Sequence, residues 1–341
     1  MTVTVMSEEV QRLNYSTHAL EQFEQLIPTI RRDMPGMRAG FEAVTHLLRL
    51  SVKYLLPNCA ELIDVSELRQ VHIDSMRLPH PVAALEAPWV LPDGEGGDKG
   101  NLRCPKRIAL CVELDEDVAR LLPGTEHLLD EPDGGVCVIP IYWTEAGQWQ
   151  LAPGGAFVPH SNELSAYVPE QADERTRMLN EPLREAGLSA RKMRQFQVSA
   201  FVILPEQYEF LVTQLGSLRV AHSETLANAR DDILALIQTG CVVNCSNIET
   251  PTLEAPAKLN KKRQQSGKVP FFDYRVLAVR PTKAGDGQGR GGQHASPRAH
   301  IRRGHIRRLE HKTVWVSDTL VNAGSARGVV VKDYAVRPLK P

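Results

Sequence analysis

The residues best suited to chemistry lie together at Ser296-Pro297-Arg298-Ala299-His300-Ile301-Arg302-Arg303-Gly304-His305-Ile306-Arg307-Arg308-Leu309. The segment His-Ile-Arg-Arg is written twice, at 300–303 and 305–308, with only Gly304 between the copies. Arginine stays protonated and offers a planar fork of donors matched to phosphate and carboxylate, so the stretch predicts an anion-facing surface. Phosphate contacts of this kind dominate nucleic-acid binding. Arg298, His300, Arg302, Arg303, His305, Arg307 and Arg308 are the candidate contacts, helped by Lys258, Lys261, Lys262, Arg263 and Lys268. Trp315, Tyr274 and Phe272 are candidate stacking platforms for bases. The competing reading is that these cations neutralise the protein's own carboxylates in a folded salt-bridge network.

The same stretch could support metal-independent nuclease chemistry, with His300 and His305 as base and acid and Arg303 or Arg307 stabilising a pentavalent phosphate. An extended backbone weakens that idea, because it puts the two histidines on opposite faces. His294, His300, His305 and His311 match no familiar metal-ligand spacing, and crowded arginines repel a divalent cation, so no metal is expected. No P-loop, dinucleotide fingerprint, G-x-S-x-G elbow or H-E-x-x-H occurs, and no cofactor is expected.

These residues must be positioned by the elements around them. If 299–309 is extended, His300, Arg302, Ile306 and Arg308 alternate with Ile301, Arg303, His305, Arg307 and Leu309, so neither face is cleanly apolar. Residues 312–316 are β-prone and predict a hairpin with the stretch, turning at Glu310-His311. Upstream, 258–268 reads as a basic loop, 271–279 as a strand, 284–297 as a Gly-rich linker and 328–336 as a further strand. At the other end, 7–56 reads as helical, interrupted at Pro28 and at Met34-Pro35-Gly36. Prolines and glycines over 79–106 predict a link. Residues 107–112, 135–143, 149–151 and 197–204 read as strands, with a hairpin across Glu145-Ala146-Gly147. Residues 160–195 are polar and helical in parts, and 206–216 and 223–239 read as helices, with Gly240 a C-cap. The fold class predicted is α+β. It divides into a helical region 1–78, a Pro/Gly-rich link 79–106, an acidic body 107–256 and a basic β-rich region 257–341.

Charge follows that division. Residues 257–341 hold 19 Lys+Arg against 5 Asp+Glu, or +14, whereas the first 256 hold 21 against 36, or -15. An acidic body with a basic end suggests two charged interaction surfaces, unless they dock on each other. Acidic runs such as Asp115-Glu116-Asp117 and Asp130-Glu131 read as a solvated face. The six cysteines form no C-x-x-C pair and read as reduced thiols of a cytosolic protein. No apolar run is long enough for a transmembrane helix, and no secretory signal is visible at the start.

A longer pattern runs through 256–316: Pro256-Ala257-Lys258-Leu259-Asn260-Lys261-Lys262-Arg263, Gly267-Lys268-Val269-Pro270, Tyr274-Arg275-Val276-Leu277, then His294 to His305 and Trp315-Val316. It resembles uncharacterised proteins encoded by tailed bacteriophages and prophages, over roughly the last 90 residues. The resemblance implies a viral protein working in the bacterial cytoplasm and brings no activity with it. The leading expectation is non-enzymatic nucleic-acid binding through the Arg/His surface. The alternative is a protein-protein inhibitor of a host factor, in defence or transcription, acting through the acidic body. Self-association is compatible with either.

Overall fold

The computed structural model describes residues 11–63, 68–90, 104–168, 170, 194–279, 300–302, 305–308, 313–316 and 319–321. Helix α1 (Tyr15–Leu26) stops where Pro28 removes a donor, in a short 3-10 turn at Ile27–Thr29. Helix α2 (Pro35–Leu50) starts with its proline in the first turn, where no amide partner is lost. The helix predicted up to residue 56 ends earlier. Ser51 adopts extended backbone, and Val52–Leu55 becomes strand β1. A short helix α3 (Gln70–Asp74) follows.

Part of the link predicted over 79–106 is a strand, while residues 91–103 lie outside the described residues. Val82–Pro88 is an inner strand, β2, because its prolines sit at or beyond the ends and its interior is apolar apart from Glu86. Next come β3 (Lys106–Glu113), α4 (Glu116–Leu121), β4 (Gly135–Trp143), β5 (Trp149–Leu151) and β6 (Gly154–Pro159). The hairpin expected across Glu145-Ala146-Gly147 is present, with Trp143 facing Trp149 in register. A small ladder joins β7 (Ser165–Ala166) to β8 (Arg194–Gln195), and β9 (Ser199–Val202) leads to α5 (Pro205–Leu215) and α6 (Leu218–Val243). Helix α6 runs past Gly240, predicted as its cap. That glycine lets the helix lie on Arg77, whose backbone N and O are 3.2 Å from where a Cβ would stand.

In the last third, β10 (Ile248–Glu249) and β11 (Thr252–Leu253) precede α7 (Ala257–Gln265), a helix where a basic loop was predicted. Strands β12 (Tyr274–Val276) and β13 (Ala278–Val279) follow. The doubled segment forms β14 (His300–Arg302) and β15 (His305–Arg308), paired antiparallel with β17 (Thr319–Val321) and β16 (Thr313–Val316). Arg302 faces Thr319 and His305 faces Val316, three positions further on each side, so both ladders keep one register. The predicted linker at 284–297 and strand at 328–336 lie outside the described residues, as does most of the polar stretch 160–195.

One nine-stranded sheet organises the molecule, in the order β11-β12-β1-β2-β3-β4-β6-β9, with β5 beside β4. Strand β1 pairs parallel with β2 and β12, and the rest of the ladder is antiparallel. Apolar clusters cover both faces. Leu20, Phe23, Val44 and Leu48 of α1 and α2 lie over Ile108, Leu110, Ile139 and Phe157. Ile233, Leu236 and Ile237 of α6 lie over Leu85, Cys111, Val138 and Val158. The α+β class predicted from the sequence is the class observed.

Candidate interaction surfaces

A lone charge inside an apolar strand must find a partner or be neutralised, an acid by gaining a proton and a base by losing one. Glu86 of β2 and Lys53 of β1 are both such residues, and neither was singled out from the sequence. The signal was present in Val82-Ala83-Ala84-Leu85-Glu86-Ala87, where one carboxylate interrupts an apolar run. The Glu86 carboxylate accepts the N–H groups of Tyr15 and Ser16 at 2.9 Å each, and the Tyr274 hydroxyl at 2.7 Å. It therefore supplies the cap that α1 lacks, since Asn14 is left-handed and its side chain makes no cap bond. Burial raises the Glu86 pKa, while the Ser16 and Tyr274 bonds pull it back. Lys53 donates to the carbonyls of Leu48 and Ser51 at the end of α2, and its Nζ lies 3.6 Å from the Phe272 ring centroid. Burial pushes that ammonium down to about 7, with Glu86 opposing. On the opposite face, Arg107 reaches α6, bonding Asp232 at 2.5 Å and Asp231 at 3.3 Å. Burial lifts Asp232 to about 6 against the pull of Arg107.

The predicted basic contacts are distributed unevenly. Arg263 is turned inward: it pairs with Glu21 of α1, donates to the Val269 carbonyl at 2.7 Å and lies 4.2 Å from the Phe271 ring centroid. Asn260 holds the same helix by bonding both the N–H and the carbonyl of Phe271 at 2.8 Å. Tyr274, expected to stack on bases, is buried against Glu86, and Phe272 lies under Lys53. Lys258, Lys261, Lys262 and Lys268 are exposed and, among the described residues, form no ion pair. Arg298 and Arg303 lie outside the described residues. His300, Arg302, His305, Arg307, Arg308 and Trp315 are placed by strand register alone, with His300 opposite Val321 and His305 opposite Val316. The Thr313 carbonyl accepts the Ser246 N–H at 2.9 Å, fastening this ribbon behind α6. Among the described residues no group of three or more His, Cys, Asp or Glu could hold a metal ion, and no helix is long and apolar enough to cross a membrane.

The carboxylates concentrate elsewhere. Residues 115–133, between β3 and β4, carry Asp115, Glu116, Asp117, Glu126, Asp130, Glu131 and Asp133 against one arginine. Asp115 caps α4 through the Val118 N–H at 2.8 Å, and Arg120 pairs with Glu116 and Asp117. Glu126, Asp130 and Asp133 are exposed, and so are Leu121 and Leu129, at 39% each. Close packing fixes the segment to β9: a Cβ on Gly124 would lie 2.3 Å from the Val202 carbonyl. The result is an acidic projection, packed on β9, with two leucines in its surface.

Residues 57–323 match the AcrVA2-like family, described as the anti-CRISPR type V subtype A2 family. The chain belongs to it. Membership in the AcrVA2-like family rests on most of the chain, from just after β1 to just after β17, where the viral resemblance had reached only the last 90 residues or so. No curated protein and no solved structure matches the chain. The family assignment overturns nucleic-acid binding as the main function. It favours the alternative, an inhibitor of a host defence factor. The physical reason lies in what a count of cations omits. Of the predicted contacts, Arg263 is neutralised internally by Glu21, and the stacking candidates Tyr274 and Phe272 are engaged by Glu86 and Lys53, so a count of local charges and rings overstated the outward surface.

Proposed function

We propose that the protein is a phage-encoded inhibitor of a host type V CRISPR defence, working in the bacterial cytoplasm by protein-protein contact. The family match over residues 57–323 carries this reading. The contact surface is the acidic body, and within it the projection 115–133. A defence nuclease must hold its guide and target in positively charged channels, because each bound phosphate calls for a neutralising cation. A cluster of carboxylates with exposed leucines is complementary to such a surface. Charge steers the encounter, and the leucines give apolar area to bury.

The experiment is a plating assay on bacteria whose type V system targets the infecting phage. Expression of the protein is expected to restore plaques to the level of a non-targeting strain. The triple variant E126K/D130K/D133K is expected to lose that protection and to lose capture of a defence component in pull-down. Restoration by the folded triple variant as complete as by the wild type would refute the acidic surface. No restoration by the wild type would refute the inhibitor reading itself.

A further inference from the structure

Lys258, Lys261 and Lys262 fall at i, i+3 and i+4 of α7 and so share one helix face. That face points away from the anchors Asn260 and Arg263, all three lysines are exposed, and Leu259 beside them is 45% exposed. Four lysines counting Lys268 stand without an ion pair among the described residues, in a chain whose net charge is only -1. A concentration of carboxylates suited to balance them sits on 115–133. Among the described residues no ion pair joins the two sets within one copy. Helix α7 leads into β12, one strand in from one edge of the sheet, whereas 115–133 packs on β9 at the other edge. Six strand spacings separate β12 from β9, roughly 29 Å at about 4.8 Å each.

We infer that copies of the protein associate head to tail, the lysine face of α7 in one copy docking on the carboxylate projection 115–133 of the next. Glu126, Asp130 and Asp133 meet Lys258, Lys261 and Lys262, while Leu259 is covered against Leu121 and Leu129. Exposed ion pairs are individually weak, so the contact is reversible and falls apart as salt screens it. Because the two patches differ, the interface is heterologous and adds copies in a row or ring rather than stopping at a symmetric pair. Self-association then occupies the carboxylates that the proposed inhibitor contact uses.

Sedimentation velocity on the nuclease-treated full chain tests this, in about 0.02 M and about 0.5 M salt. In low salt the average mass is expected to rise with protein concentration above the 37.9 kDa of one chain, and to return to it in high salt. K258E/K261E/K262E and E126K/D130K/D133K should each stay at one chain, and an equimolar mixture of the two should associate again. The lysine variant should still restore plaques, which separates this contact from the inhibitor contact. A wild type that is monomeric at every concentration in low salt would overturn the inference. So would a mixture that fails to associate, association that returns only with added nucleic acid, or association unchanged in the lysine variant. Thermal melts of both variants confirm folding, and the salt series on the wild type tests the contact without substitution.

Discussion

Tyr274 and Glu86 stand 188 positions apart and meet at 2.7 Å in the middle of the sheet, hydroxyl donating to carboxylate. The same carboxylate caps α1, so one residue of β2 ties together the first helix, the central sheet and the strand that follows the basic helix. Removing one partner of a buried hydrogen bond costs about 1–3 kcal/mol for each group left unpaired. Tyr274→Phe should therefore cost about 1 kcal/mol or slightly more. Glu86→Ala, which strands two backbone donors and a hydroxyl, should cost several times as much. Urea unfolding of both variants checks this, and equal losses would mean that the cap on α1 contributes nothing.

Lys53 gives a pH signature. Its folded pKa lies near 7, below the ordinary 10.5, so between those values the unfolded chain binds the extra proton. Stability must then rise with pH through that window, by at most about 1.4 kcal/mol per unit. Above pH 9 the buried thiols of Cys137, Cys241 and Cys245, all pushed up by burial, act in the opposite direction. The clean interval is about pH 7 to 9. Denaturation midpoints of the wild type should climb across it, and those of Lys53→Met should stay flat. A parallel slope in the variant would assign the effect elsewhere.

Asp231 and Asp232 are neighbours with unequal roles opposite Arg107. The Asp232 side chain is 2% exposed and that of Asp231 41%. Losing one member of a buried pair leaves an uncompensated charge, at about 3–5 kcal/mol, whereas an exposed pair contributes about 0–1 kcal/mol. Asp232→Asn keeps Asp231 opposite Arg107 and puts a neutral group where burial already drives the carboxyl toward its neutral form, so it should cost less than that, and Asp231→Asn should be close to neutral. With Asp232 raised from 3.8 to about 6, the folded chain holds the extra proton between those values. Its stability contribution is therefore largest below pH 4 and declines as pH rises to about 6. That decline should vanish in Asp232→Asn when both proteins are melted across the same range.

Local signals in the sequence were enough for the α+β class, the end of α1 before Pro28 and the start of α2 at Pro35, the hairpin of Trp143 with Trp149, and the pairing of the second His-Ile-Arg-Arg copy with 313–316. Each depends on neighbours within a few residues, through a lost amide, an alternating pattern or a tight turn. Strands β1 and β2 escaped because they are short and buried on both faces, so Val52-Lys53-Tyr54-Leu55 continues a helical pattern and Val82–Pro88 hides among prolines. Only the tertiary structure decided which charges are spent inside. Arg263 meets Glu21 across 242 positions, and Glu86 serves the start of α1 from 71 positions away. Composition reports how much charge a chain carries, but its direction is fixed by long-range packing, and that packing left the carboxylates of 115–133 and the lysines of α7 facing outward at opposite edges of one sheet.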